Sequence, residues 1–293
     1  MTSFKNHDSW LDRELYPFQH KYLTLKNGTM HYVDEGQGPI LLFVHGTPTW
    51  SFLYRDLIKE LSSRFRCIAI DHLGFGLSES PAKFSGKPED HASNLVEFMT
   101  RLDLKDVSMV VHDFGGPIGL GAALTQPNRI SNIVLFNTWL WATNQNPNAL
   151  KIDKLINGWL GRTLYLNFNF SAKVLLKKGF SDAGRLSRNV HQHYIKPFPD
   201  KASRMSLLNI AKALVGSSDW YQSQWQELHH LEDKNWLIVW GTADEFITQE
   251  YLKTWQKRLP KAQVETLDCG HFVQEEKTGE VLQLMQKFLD KHV

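Results

Sequence analysis

Asp113 is the residue whose setting asks for chemistry. Residues 107–120 read V-S-M-V-V-H-D-F-G-G-P-I-G-L: an apolar run, a short polar cluster, then glycines opening a second apolar segment. That order spells strand, sharp turn and helix, the syntax of a nucleophile elbow, with V-H-D-F-G where G-x-S-x-G is the usual form. The residue type decides the reaction. Serine attacks acyl carbon and leaves an ester that water can cleave, but serine displacing a group from saturated carbon would leave an ether, a dead end. Aspartate making the same displacement leaves an ester whose carbonyl belongs to the protein, and water can attack it. Asp113 therefore points to cleavage of carbon–halogen or strained carbon–oxygen bonds. The competing role, capping a helix that starts at Gly115, would not need so tight a turn.

Such a nucleophile needs an oxyanion hole, a base and a group that orients the base. His45-Gly46-Thr47-Pro48 directly follows the apolar stretch Ile40–Val44, and its loop can turn a backbone N–H towards the elbow. The expected donors are the amides of Thr47 and Phe114. His271 is the expected base: it follows Asp268-Cys269-Gly270 after the last expected strand, in the order nucleophile, acid, histidine. His191, His193, His229 and His230 lie in a middle region, and His45, His72 and His112 come too early for that order. Asp244, in W-G-T-A-D-E-F, is the expected orienting carboxylate, with Glu245 as runner-up. Asn137, at the end of an earlier run where a carboxylate is sometimes used, supplies no charge. No metal-ligand spacing and no phosphate-cradling glycine loop appears. Residues 71–78, D-H-L-G-F-G-L-S, read as a turn at the edge of the site.

Strands expected at 22–26, 30–34, 40–45, 67–71, 107–112, 130–136, 236–240 and 263–267 must position these residues. Helices are expected at 52–61, 88–102, 116–125, 249–258 and 278–291. Asn27-Gly28 reads as a hairpin turn between the first two strands, and Pro88 as a helix start. A hairpin followed by strand–helix repeats predicts an α/β architecture, a mostly parallel sheet with an antiparallel edge. The repeat breaks between 139 and 233, where the pattern turns helical and irregular. The expected organisation is a core of 1–138 and 234–293 with a helical cap, 139–233, over the sheet's carboxyl edge.

The 293 residues, 42% hydrophobic and 22% charged, describe an ordinary globular chain with room for a large core. A net charge of +2 without basic runs excludes a nucleic-acid binder on present patterning. The start, M-T-S-F-K-N-H-D-S-W, has no apolar signal core, and Ile40–Val44 is far too short to span a bilayer. Cys67 and Cys269 read as core thiols, and a cytoplasmic location is expected. Eight of the ten tryptophans lie after residue 138, suggesting an aromatic-lined apolar pocket. The expected partners are a small apolar substrate and water, with no cofactor; self-association into a homo-oligomer is left open.

H-G-T-P-T-W-S-F-L-Y-R at 45–55, D-H-L-G-F-G-L-S-E-S-P at 71–81, V-V-H-D-F-G-G-P-I-G-L at 110–120 and D-C-G-H-F at 268–272 together resemble the haloalkane dehalogenases of the α/β-hydrolase superfamily. The resemblance covers nearly the whole core and implies the α/β-hydrolase fold: an eight-stranded, mostly parallel sheet flanked by helices, with an inserted helical cap. It also implies two steps. Asp113 displaces halide to form an alkyl ester, and His271 activates the water that hydrolyses it. Epoxide hydrolases and cofactor-independent luciferases share much of the pattern, so an epoxide hydrolase is the alternative, and a ligand receptor or oxygenase on this scaffold a remote one. The chain departs from the family twice. Phe114 stands where the indole of a Trp usually holds the departing halide, and Thr47 stands where many members carry Asn. Either a tryptophan such as Trp139, Trp141 or Trp159 substitutes, or the leaving group is not halide. A ring oxygen would want an acidic hydroxyl from Tyr165, Tyr194 or Tyr221. Trp139, Trp141, Trp159, Tyr165 and Phe272 are the expected pocket residues.

Overall fold

The computed structural model describes residues 9–79 and 81–293; the first eight residues, on which most of the reading of the N-terminus rests, lie outside it. Eight strands form one sheet: β1 Lys21–Leu25, β2 Gly28–Glu35, β3 Ile40–Val44, β4 Arg66–Ile70, β5 Val107–His112, β6 Ile130–Phe136, β7 Asn235–Gly241 and β8 Gln263–Leu267. Their spatial order is β1-β2-β4-β3-β5-β6-β7-β8. β1 pairs antiparallel with β2 and β2 with β4, while every pairing from β4 onward is parallel. The antiparallel edge and parallel centre are the layout expected from the hairpin and the repeats.

The central strands read as continuous apolar runs because helices cover both faces. Their side chains alternate between two cores. Leu42, Met109, Val111, Ile133 and Ile238 face one layer. Leu41, Phe43, Val110, Val134, Leu237 and Val239 face the other. Burying each such side chain stabilises the fold by roughly 1.5–3 kcal/mol. The flanking helices are α1 Arg55–Leu61, α2 Pro88–Arg101 and α3 Gly115–Thr125. Between β6 and β7 come α4 Pro147–Asn157, α5 Trp159–Phe168, α6 Leu176–Lys178, α7 Arg188–Ile195, α8 Lys201–Gly216 and α9 Ser218–Glu227. The chain closes with α10 Gln249–Arg258, α11 Val273–Glu276 and α12 Thr278–His292.

Two segments differ from the sequence expectation. The helix expected over 52–61 opens with a separate 3-10 turn, Ser51–Tyr54, whose first amide is taken by Asp71 Oδ1 at 2.8 Å rather than by a helical carbonyl. After α5, Asn169 turns left-handed (φ 52°) and Ser171–Leu175 forms a π-helical turn. Such turns interrupt regular helices where side chains must be re-aimed. Cys67 and Cys269 are both buried and free.

The topology creates the site. From β3 the chain moves outward to β4 and then returns to β5 on the other side of β3, so β3 and β5 are neighbours whose connections diverge. Open α/β sheets bind ligands in the crevice at the carboxyl ends of such a pair. Thr47 follows β3 and Asp113 follows β5.

Candidate active site

Asp113 leaves β5 in the left-handed region, φ 53°, which a non-glycine residue adopts at a cost of about 1–3 kcal/mol. The neighbours hold it there. Its N–H donates to Asn137 O (3.1 Å), and its carbonyl accepts from Gly116 N–H (2.9 Å) and the Thr138 hydroxyl (2.5 Å). Close approach explains the glycines: a Cβ on Gly115 would lie 2.1 Å from Val44 O, and one on Gly46 would lie 2.2 Å from Asp113 Oδ1. The carboxylate does not cap α3, whose N-cap is Phe114 with no side-chain hydrogen bond. Instead Asp113 Oδ1 accepts the Thr47 amide at 2.8 Å. The Phe114 amide opens α3 immediately after Asp113, where helix amides have no partner inside the helix.

His271 Nε2 stands 3.5 Å from Asp113 Oδ2, and His271 Nδ1 donates to Asp244 Oδ2 at 2.7 Å. The imidazole is clamped from behind: its own amide donates to Gly179 O (2.7 Å) and its carbonyl accepts from His112 Nε2 (2.9 Å). Burial opposes a charge on His271, but the Asp244 charge and the hydrogen bonds to Asp113 and Asp244 outweigh it and push the imidazole up to about 10. Burial likewise opposes a charge on Asp244. The His271 charge and hydrogen bond, with the amides of Ile247 and Phe246, still hold its carboxyl below the ordinary carboxylate value. Glu245, the runner-up, points outward and pairs with Lys178 at 3.5 Å.

Asn137 has a role the sequence did not disclose. Its side-chain amide donates to Asp244 Oδ2 (2.9 Å) and Gly241 O (3.1 Å), while its Oδ1 accepts from Gly241 N–H (2.8 Å). It therefore locks β6 to β7 and aims the carboxylate. The earlier histidines are engaged elsewhere: His45 accepts the His72 amide on Nε2 and contacts Gly46 O through Nδ1. Asp71 gathers the Ser51 and Leu77 amides and His31 Nδ1. It stitches its loop together, and His72 ties that turn to His45 beside the site, while residues 71–78 are not among those lining the cavity above Asp113.

That cavity, of about 120 Å³, has a floor of Thr47, Asp113, Phe114, His271 and Phe272. Its roof comes from Ile152, Ile156, Tyr165, Ser171 and Leu175, with Phe246 at one side. Its volume lies below the ~300 Å³ of ordinary ligand pockets and suits a small molecule. Tyr165 and Phe272 stand where expected. The three tryptophans do not, and the reasons are physical. Trp139 is buried behind Phe114, edge-on at 4.8 Å. Trp141 packs against Trp225, Tyr251 and Trp255 beside α10. Trp159 is 80% exposed. None of the three is among the residues that line the cavity, although Trp139 Nε1 is buried without a partner among the described residues. Beside the backbone amides, His271 and the Asp113 carboxylate, the side-chain polar groups that line the cavity are hydroxyls: Tyr165, which pairs with Ser171, and Thr47, whose Oγ1 is buried without a partner among the described residues. Burial pushes the Tyr165 phenol up to about 12, and the nearby Asp113 charge adds to that. Tyr194 bonds Glu275 and Tyr221 donates to Ala213 O (2.9 Å), both away from the cavity. Ile152, Ile156 and Leu175 carried no sequence signal, because an apolar helix residue shows only which face is buried and not what it faces, and neither did Phe246, a lone apolar residue in the loop after β7.

The profile of the alpha/beta hydrolase fold family matches residues 39–278. Haloalkane dehalogenase 2 of Mycobacterium tuberculosis is 35% identical over 269 residues, spanning 90% of this chain and 93% of that protein. A cis-3-alkyl-4-alkyloxetan-2-one decarboxylase of Shewanella oneidensis is 32% identical over 287 residues, spanning 94% and 89%. Among solved structures, haloalkane dehalogenase DatA from Agrobacterium tumefaciens superposes with a TM-score of 0.84 at 24% identity, covering 94% of this chain and 97% of that one. At that identity the likeness speaks for the fold.

Proposed function

Because this chain belongs to the α/β-hydrolase family, on its haloalkane-dehalogenase-like branch, we propose that it hydrolyses carbon–halogen bonds of small apolar molecules through an ester on Asp113. The observation that carries this reading is the left-handed Asp113 elbow, with its carboxylate between the Thr47 amide and His271 Nε2. In the first step the carboxylate attacks the saturated carbon. The new C–O bond forms as the carbon–halogen bond breaks, and halide leaves with the electron pair. In the second step His271 Nε2 takes a proton from water and the hydroxide attacks the ester carbonyl. The amides of Thr47 and Phe114 hold the oxyanion. Collapse breaks the bond to the alkoxide, which takes the proton from His271 and leaves as the alcohol. The Asp113 carboxyl left behind gives up its remaining proton to solvent, so that alcohol, halide and one proton are the products.

The electrostatics supports this order. While Asp113 is charged it helps to hold His271 protonated. Alkylation turns that carboxylate into a neutral ester, removing one of the two supporting charges. The imidazole then gives up its proton more easily when a base is needed. Asp244 remains to keep the tautomer and stabilise the imidazolium that forms. We assign 1–138 and 234–293 to the catalytic core and 139–233 to a cap that supplies the roof. Two buried free thiols suit a reducing, cytoplasmic compartment, and among the described residues no helix is long and apolar enough to cross a membrane.

A second reading has its own support. The hydroxyl pair Tyr165–Ser171, where the resemblance would place an indole N–H, suits a leaving group that stays oxygen, as in a strained ring opened by Asp113. His271→Gln separates the readings. The variant is incubated with short haloalkanes, epoxides and β-lactones, and the Asp113 peptide is weighed. An alkyl adduct with released halide supports dehalogenation, and an oxygen-bearing adduct supports ring opening. No adduct from any of these compounds sinks both.

A further inference from the structure

Among the described residues, nine large hydrophobic side chains are exposed, and their distribution is uneven. Seven fall within residues 147–178: Leu150, Ile152 and Leu155 on α4, Trp159, Leu160 and Phe168 on α5, and Val174 after it. An eighth, Phe246, forms the opposite lip of the active-site cavity, and the ninth is the terminal Val293. Single exposed apolar residues need no explanation, but a concentration of them on one face does. Trp159, at 80% exposure, is the most exposed of the nine.

The same 32 residues are strongly basic. They hold Lys151, Lys154, Arg162, Lys173, Lys177 and Lys178 against a single acid, Asp153, so the segment carries +5 in a chain whose total is +2. All six cationic side chains are exposed. Only Lys178 has an acidic partner among the described residues, Glu245. Along α4 and into α5 the two kinds of residue interleave: Leu150, Lys151, Ile152, Lys154, Leu155, then Trp159. Lysines able to extend their charge outward beside apolar side chains and an exposed tryptophan are the composition of a helix lying in a membrane–water interface.

We propose that the outer face of residues 147–178, with Phe246, docks on an anionic lipid bilayer. Charge selects the occupant. A second copy meeting this face would set +5 against +5, whereas an anionic leaflet attracts every lysine and arginine on it. The docking face is continuous with the cavity, because Ile152 and Phe246 are both surface residues and cavity walls. An apolar molecule dissolved in the bilayer would thus reach Asp113 by passing between them. This last consequence rests on the hydrolase reading; the docking itself does not.

The test is flotation of the full-length chain, without substrate, with vesicles of phosphatidylcholine alone or mixed with phosphatidylglycerol. The chain is expected to float with the mixed vesicles at low salt, to be released by high salt and to stay behind with phosphatidylcholine alone. Lys151→Glu/Lys154→Glu and, separately, Leu155→Ser/Trp159→Ser are each expected to weaken partitioning about tenfold or more. Thermal unfolding of both variants should be unchanged, because the substituted side chains are exposed. Failure to float with anionic vesicles overturns the proposal, as does flotation that neither pair of substitutions weakens. Self-association that Leu155→Ser/Trp159→Ser abolishes, in the absence of vesicle binding, would instead assign the face to a second copy. Hydrolysis of a water-soluble substrate by both variants should match the parent, so a failure of docking is distinguishable from a failure of the catalytic reading.

Discussion

Asp244→Asn should divide the two chemical steps. Asp244 Oδ2 accepts from His271 Nδ1 at 2.7 Å, and both side chains are buried. Asparagine in the orienting position keeps the shape but favours the wrong imidazole tautomer and no longer stabilises the imidazolium, a loss of roughly 10²- to 10⁴-fold in the step that needs His271 as a base. The substituted amide would also present donors towards the Asn137 side-chain amide, which now donates to Asp244. Alkylation makes no such demand, since the Asp113 carboxylate is positioned by the Thr47 amide and its own backbone bonds. The assay is rapid quench under single-turnover conditions with a short bromoalkane, measuring halide and alcohol separately. Halide release should stay within about tenfold of the parent while alcohol release slows by roughly 10²- to 10⁴-fold, so that alkylated Asp113 accumulates. Alcohol release within about threefold of the parent would refute the role given to Asp244. So would equal loss of halide and alcohol in a variant whose circular dichroism is unchanged.

His271 carries a linkage signature. Its folded-state value, about 10, lies above its unfolded value of about 6.5. Its contribution to stability is therefore complete below pH ~6.5 and is lost as pH rises through ~10. Melting temperature should fall across that window in the parent, and His271→Gln should flatten the fall; equal slopes would contradict the charged clamp. Tyr165→Phe removes the hydroxyl paired with Ser171 and should lower kcat/KM for epoxides by roughly 10²-fold or more, with a smaller effect on bromoalkanes. Equal effects on both would assign the hydroxyl to general packing. Trp139→Ala, at a site 2% exposed against Phe114 and Tyr221, should cost about 3–5 kcal/mol by chemical denaturation. Trp159→Ala should stay within about 0.5 kcal/mol. The reverse order would restore Trp159 to the interior.

The elements that carry chemistry were legible because strand ends and glycine turns have a local grammar. Asp113, His271 and Asp244 each follow an apolar strand within a few residues, and the structure brings all three together. The strand boundaries at 107–112 and 130–136 match because buried parallel strands are largely apolar runs flanked by polar residues, and the edge strand at 263–267, Q-V-E-T-L, matches through its alternation of polar and apolar residues. The pocket was not legible in this way. Trp139, Trp141 and Trp159 share a residue type and a stretch of chain, yet one is wedged behind Phe114, one is stacked beside α10 and one faces solvent. Which of these happens depends on how α5, α9 and α10 pack against their neighbours, and that is set by contacts far apart in sequence. Asn137 was read only for the charge it lacks. Its hydrogen bonds to Asp244 and Gly241 depend on the adjacency of β6 and β7, which the residue itself does not reveal.

The covalent role of Asp113 can be tested directly by a single turnover in water enriched in oxygen-18, with enzyme in excess of bromoalkane. The ester mechanism predicts an alcohol whose oxygen comes unlabelled from Asp113, and an Asp113 peptide heavier by one oxygen-18. Labelled alcohol from the first turnover, with no label in that peptide, would contradict it and leave Asp113 as a general base.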